Sequence, residues 1–246
     1  MTLLECKDIW KNFGRVAALK GVDIRVEKKE VVGLLGDNGA GKSTLAKIIA
    51  GVYQPDKGEI IFEGRSVKWM SPREAREAGI EMLFQDLALI DVLSVSRNFF
   101  LGREPTKRIG PFKLLDFDKM NKLSHENINK IGIELRSPLV RASALSGGER
   151  QAVAFARSVF FGAKLIILDE PTANLSIREA HKVLELVKEL RNKGLSIIFI
   201  THNIYHVYEV ADRFVILDRG VKIAEYNKEE VKPEEVIETI RLGKSM

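Results

Sequence analysis

Residues 31–43 read VVGLLGDNGAGKS. An apolar run stops dead at Gly36, a glycine-rich loop follows, and Lys42 and Ser43 open an amphipathic stretch in which Leu45, Ile48 and Ile49 share one face. The loop fits the pattern G-x-x-x-x-G-K-[ST], in which backbone N–H groups converge on phosphate oxygens. A strand that delivers such a loop into the start of a helix constrains the fold sharply. It requires an open α/β sheet whose ligands sit beyond the carboxyl ends of the strands. Gly36, Asp37, Asn38, Gly39, Ala40, Gly41, Lys42, Ser43 and Thr44 are therefore candidate phosphate-binding residues. Lys42 would reach the β- and γ-phosphates, the Ser43 hydroxyl would ligate Mg²⁺, and the helix N-terminus would add its positive dipole end.

Three other short apolar runs end as abruptly: IEMLF (80–84) before Gln85, LIIL (165–168) before Asp169, and SIIFI (196–200) before Thr201. Continuous apolar runs of this length are how parallel strands covered on both faces read. Helical patterns separate them. Ala180, Val183, Leu184, Val187 and Leu190 form a stripe that Gly194 terminates, and Gly51 stands after the helix that follows the loop. The expected core is thus a three-layer, mostly parallel α/β sheet. LLECKDIW, GVDIRVE and GEIIFEG predict a smaller antiparallel sheet near the N-terminus. Residues from about 88 to 158 break the alternation and predict a mostly helical insertion, with DKMNKLSHENINKI as one helix; Pro233 opens a last helix, EEVIETIRL. A single domain spanning 3–242 is expected.

LIILDE supplies a second half to the phosphate loop. Asp169 at a strand end is placed to hold Mg²⁺, and Glu170 beside it to polarise an attacking water. The 39 basic and 34 acidic residues leave a net charge of +5, too small and dispersed to indicate nucleic acid. Lone Cys6 excludes an internal disulfide and reads as a small buried hydrophobe. The N-terminus has no signal-peptide pattern and no apolar stretch reaches about 18 residues. A soluble chain with no nucleic-acid partner is expected.

LSGGERQ, residues 145–151, resembles the signature of the ATP-binding-cassette (ABC) ATPases, and it lies between the phosphate loop and the acidic strand, as in that family. The resemblance covers nearly the whole chain. It implies ATP and Mg²⁺ as ligands, with Gln85 as the Q-loop glutamine that touches metal or water, residues 173–176 as the D-loop, and His202 as the switch histidine on the γ-phosphate. Phe13 matches the aromatic that stacks on adenine. Leu145, Ser146, Gly147, Gly148 and Glu149 would serve a second copy of the chain, so that two copies sandwich ATP head to tail. Ser146, Gly147 and Gly148 precede ERQAVAFARSVF, so that second site is again a helix N-terminus. Two residues depart from the family pattern: Ser176 stands where Asp is usual, and Arg97 where an acidic residue is frequent.

Three longer stretches, residues 36–60, 71–105 and 170–180, are similar to the importers of simple sugars such as ribose, xylose, fructose and galactose. That resemblance implies an ATPase on the cytoplasmic face of the membrane, held by two integral-membrane permease subunits, with an extracytoplasmic sugar-binding protein as an indirect partner. Other readings are a non-transport cassette acting on ribosomes or DNA, an importer of another solute, and a nucleotide-binding module without hydrolysis. The absence of a second cassette and of a long coiled coil weighs against the first, and the joint presence of Glu170 and His202 against the last.

Overall fold

A computed structural model describes residues 1–83, 89–131, 135–173 and 175–243. The chain forms two compact units. One comprises Met1–Gln85, Ala163–Ala173 and Val187–Met246; the other comprises Asp86–Gly162 and Asn174–Leu186.

The first unit holds two sheets. Strands β1 (Thr2–Phe13), β2 (Val16–Glu27), β4 (Lys57–Phe62) and β5 (Arg65–Val67) form the antiparallel sheet that the N-terminal runs predict, in the order β2-β1-β4-β5. The second sheet is built on β3 (Val31–Leu35), with β6 (Ile80–Leu83), β9 (Leu165–Asp169) and β10 (Ser196–Ile200). All four read as apolar runs in the sequence, and β3 and β10 are buried at every position. Two strands extend this sheet beyond the sequence expectation: β11 (Arg213–Asp218) lies parallel to β3, and β12 (Val221–Asn227) returns antiparallel to it, giving the order β12-β11-β3-β10-β9-β6. FVIL within β11 carries the same continuous apolar signal, and Arg219-Gly220 between the strands is a two-residue turn with positive φ at both positions.

Helix α1 (Lys42–Ile49) follows the phosphate loop, and α2 (Pro72–Ala78) is capped by Ser71 with proline in its first turn. α7 (Ile204–Val210) and α8 (Pro233–Leu242) complete the unit. Leu45, Ile48 and Ile49 of α1 are buried in one cluster with residues of both sheets, including Leu4, Ile24, Val32, Leu34 and Ile198. That shared core fixes the start of α1 against the carboxyl end of β3. Cys6, 1% exposed, belongs to it.

In the second unit, α3 (Val95–Phe100), α4 (Phe117–Asn129) and α5 (Gly147–Phe160) pack together. Four aromatic rings, Phe99, Phe100, Phe160 and Phe161, meet with centroids 5.0–6.3 Å apart. The insertion is not purely helical: β7 (Thr106–Ile109) and β8 (Phe112–Leu115) form a hairpin across Gly110-Pro111, with Gly110 at φ 60. A glycine opening a two-residue turn is a hairpin signal, here masked by the proline beside it. α6 (Ile177–Asn192) contributes residues to both units, and the stripe from Ala180 to Leu190 is buried as its spacing predicts.

Candidate functional site

The phosphate loop leaves β3 at Gly36, whose φ is 138; a Cβ there would stand 2.1 Å from the Leu217 carbonyl oxygen, so only glycine closes this turn. Gly41, at φ 105, caps α1 and offers no side chain to its first amides. Those amides are therefore free for an outside anion at the positive end of the helix. Lys42 folds back over the loop: its Nζ donates to the Gly36 carbonyl at 2.7 Å and to the Asp37 carbonyl at 2.9 Å. Burial draws the Lys42 ammonium below its ordinary pKa, against the pull of Glu170, Asp169 and Asp37.

The carboxyl end of β9 faces this loop, because β9, β10 and β3 are adjacent and parallel. Ser43 Oγ lies 3.5 Å from Asp169 Oδ1. Burial pushes the Asp169 carboxyl up; the Ser43 hydrogen bond opposes this and the Glu170 charge adds to it. One hydroxyl and one partly buried carboxylate converging beneath a lysine form a set of hard oxygen donors, the chemistry a magnesium ion takes. Glu170 sits at φ 52, an uncommon conformation for a non-glycine residue, and its backbone N–H is tied to the Ile200 carbonyl at 2.9 Å. Its carboxylate is held three ways: by Thr201 Oγ1 at 3.1 Å, by the His202 N–H at 3.1 Å, and by His202 Nδ1 at 2.8 Å. Ser43, Asp169 and Glu170 line a cleft of about 610 Å³ together with Val16, Lys20, Gly39 and Lys42 among others, while Thr201 and His202 line a second cavity of about 430 Å³ with Gly36 and Asp37.

The structure thus gathers Gly36 to Thr44, Asp169, Glu170 and His202 at one end of one sheet. Phe13 is not among the residues lining the cleft; its cross-strand partner Val16 is. The Phe13 ring is 44% exposed and stands edge-on to Tyr53 at 5.2 Å. Gln85 lies outside the described residues. Two contributors escaped the sequence reading. Thr201 lies next to His202 and was visible as a polar residue at a strand end. Arg219 lines the cleft from the β11–β12 turn and becomes visible only once FVIL is read as a strand.

The second unit presents the other predicted group. A short turn of 3₁₀ helix, Ala142–Ala144, leads through Leu145 to Ser146, which caps α5. Ser146 Oγ accepts from the Glu149 N–H at 3.4 Å while Glu149 Oε2 accepts from the Ser146 N–H at 2.8 Å, a reciprocal capping box. Gly147 and Gly148 form the first turn.

A family model described as ABC transporter matches residues 19–173. The chain belongs to the ABC transporter family, as one of its ATP-binding cassettes. It is 51% identical over 238 residues to the xylose/arabinose import ATP-binding protein XylG of Sulfolobus acidocaldarius, covering 97% of this chain and 93% of that one. It is 43% identical to the fructose import ATP-binding protein FrcA of Rhizobium meliloti, covering 92% and 88% of the two chains. Among solved structures, the ADP conformation of MJ1267, an ATP-binding cassette of an ABC transporter, superposes with a TM-score of 0.83 at 27% identity, covering 98% of this cassette and 95% of that chain. A dimeric post-hydrolysis state of the cassette MJ0796 bound to ADP and Pi gives 0.76 at 25% identity, covering 92% and 99%. No helix among the described residues is long and apolar enough to cross a membrane.

Proposed function

We propose that this cassette hydrolyses Mg-ATP to drive uptake of a monosaccharide, with two copies sandwiching the nucleotide beneath two permease subunits. The observation that carries the reading is the convergence of Lys42, Ser43, Asp169 and a triply anchored Glu170 at the mouth of a loop whose helix amides are open to an anion. The xylose/arabinose and fructose import proteins that it resembles support sugar as the solute class.

The loop amides and the start of α1 hold the β- and γ-phosphates, and Lys42 exchanges its two carbonyl partners for phosphate oxygens. Ser43 and Asp169, with Gln85, are the residues to hold Mg²⁺; when bound, the ion neutralises charge on the β- and γ-phosphates. Glu170 takes the proton of the attacking water, and its fixed orientation supplies the positioning that phosphoryl transfer depends on. His202 Nδ1 bonds Glu170, which leaves Nε2 for the γ-phosphate. Ser146, Gly147 and Gly148 of the second copy complete the site, so the two chains close only while a γ-phosphate lies between them. Phe13 supports the adenine from the end of β1. Closure draws the permease halves together, and an extracytoplasmic sugar-binding protein delivers the solute to them from the other side.

The test has two arms. Purified protein is assayed for Mg-dependent ATP hydrolysis, and a strain lacking the gene is grown on single sugars as sole carbon source. A growth defect confined to one or a few sugars supports the reading. Normal growth on all of them beside a translation or DNA-repair defect refutes it.

A further inference from the structure

Every residue of strands β7 and β8 is exposed, on both faces of the hairpin. Phe112 is 69%, Ile109 55% and Leu114 50% exposed. The hairpin is nevertheless firmly based. The Asp116 N–H donates to the Pro105 carbonyl at 2.9 Å across its open end, and Asp116 then caps α4, which packs against α3 and α5. Lys107 Nζ, at that base, lies 4.0 Å from the Asp116 carboxylate and 3.6 Å from that of Asp118. A two-stranded ribbon has little stability of its own in water, and three large apolar side chains left in water add none.

The register sorts these side chains. Ile109 pairs with Phe112 beside the Gly110-Pro111 turn, and Lys107 with Leu114, so Ile109, Phe112 and Leu114 share one face. Arg108 stands directly opposite Lys113 on the other face. Like charges so placed repel each other, and among the described residues no carboxylate pairs with either.

This pattern fits a negative surface with an apolar layer just beneath it. A second copy of the chain brings the same positive tip and is repelled. A protein that covered the apolar face would leave Arg108 and Lys113 on the far side without a counter-ion. A lipid interface is a medium rather than a face: it surrounds the ribbon, takes apolar side chains below the headgroups and lets basic ones reach back to phosphates.

We propose that the β7–β8 hairpin enters the headgroup layer of an anionic bilayer, with Ile109, Phe112 and Leu114 in the acyl boundary and Arg108 and Lys113 on lipid phosphates. The cassette itself makes this contact, apart from the one proposed through permease subunits, and it needs neither ATP nor a second copy. So few residues give weak, reversible binding. The contact therefore orients a cassette already held at the membrane.

The test uses the purified full chain without nucleotide or permease, sedimented with vesicles of phosphatidylcholine alone or with phosphatidylglycerol added. The expected result is binding to the anionic vesicles only, falling as salt rises. Arg108→Gln with Lys113→Gln should lower the partition coefficient roughly 25-fold, about fivefold for each charge. Phe112→Ser should lower it about tenfold. Thermal melts of these variants should stay within about 2 °C of the wild type and ATP hydrolysis within about twofold, since the side chains are exposed. A polarity-sensitive fluorophore on a Pro111→Cys variant should shift to the blue on anionic vesicles; Cys6 is buried, so the label goes to the tip. No sedimentation with either vesicle, equal binding to both, or equal binding of the wild type and the glutamine pair overturns the proposal. Loss of permease pull-down by the hairpin variants, with no vesicle binding by the wild type, also overturns it and gives the hairpin a protein partner. The ATP sandwich and the solute class stand or fall on other assays, those of hydrolysis, dimer formation and growth.

Discussion

His202 Nδ1 lies 2.8 Å from Glu170 Oε1, and the neighbouring Thr201 hydroxyl holds the other oxygen of the same carboxylate. The proposed base and the proposed γ-phosphate contact are one hydrogen-bonded unit at the end of two adjacent strands. Glu170→Gln should cut turnover by about 10²–10⁴ with ATP affinity kept. His202→Ala should cut it as well, since it removes two roles at once: the orienting bond to Glu170 and the contact to phosphate. Because the two side chains act together, the double variant should be little worse than Glu170→Gln alone. Steady-state ATPase assays of the three variants check this; a double variant slower by the product of the single losses would mean independent roles.

Lys42→Ala should weaken ATP binding by roughly 10²-fold, the cost of losing charge-assisted bonds to phosphate. The fold should hold, because the residue's own partners are two loop carbonyls that water can satisfy. Fluorescent-nucleotide titration beside a thermal melt separates the two effects. Unchanged affinity would remove the lysine from the phosphate site.

The phosphate loop, four of the sheet strands and the signature helix are legible because each is written in adjacent residues: an apolar run, a glycine pattern, a capping serine. What resists reading is pairing across the chain. Arg213 binds Glu30 at 2.8 Å across 183 residues and also binds Glu225. Glu179 meets Gly147 only because α6 returns to α5. The β7–β8 hairpin was hidden for a different reason, since its residues are all exposed and leave no period-two burial pattern to detect.

Arg213 is 7% exposed and also donates to the Arg25 carbonyl at 2.6 Å, so it joins β11 to β2 and β12 at once. Arg213→Met should destabilise by about 3 kcal/mol, the low end for breaking a buried pair, because Glu225 keeps some water contact. That corresponds to a melting temperature lower by roughly 6–10 °C. Burial alone would raise the Glu225 pKa, but Lys222 and then Arg213 outweigh it and hold the carboxyl below its ordinary 4.5. A depressed carboxyl stabilises the fold above its unfolded pKa, and that contribution is lost as pH falls through the folded value. Wild-type stability should therefore drop below about pH 4.5, and Arg213→Met should flatten that drop. Urea unfolding at pH 7 and pH 4 measures both, and an equal acid drop in the two proteins would contradict the assignment.

Cys6 is buried among the strands, and burial pushes its thiol up to about 12 from an ordinary 9.0, with Asp23 and Glu5 adding to the shift. A raised thiol favours the folded state below the unfolded pKa, and the benefit is lost as pH rises from about 9 towards 12, at about 1.4 kcal/mol per pH unit. The native protein should resist a thiol reagent at pH 8 and react at once in urea. Rapid modification of the native chain would mean that the first sheet opens locally.

The final prediction concerns the proposed contact with a permease. Of the apolar residues that follow Gln85 in the sequence, Phe99 and Phe100 are buried in the aromatic cluster, while Ile90 is 42% and Val92 73% exposed. The loop that bears Ile90 and Val92 is not loose. Asn98, fully buried, accepts from the Ile90 N–H at 2.7 Å and donates to the Ile90, Leu93 and Ser94 carbonyls at 3.0–3.2 Å. Holding an exposed apolar pair on a rigid base is how a docking site for a short helix is built, since little ordering entropy is left to lose on binding. Val92→Asp should therefore abolish sugar uptake in cells while ATP binding and basal hydrolysis of the purified protein stay within about twofold. Ile90→Asp should do the same more weakly, being half covered already. Asn98→Ala, by contrast, should lose both uptake and stability, because it strips the loop of the hydrogen bonds that a buried side chain makes to Ile90, Leu93 and Ser94. Uptake by complemented deletion strains and pull-down of the permease from detergent extracts give the readouts. Full uptake with Val92→Asp would place the permease contact elsewhere on the cassette.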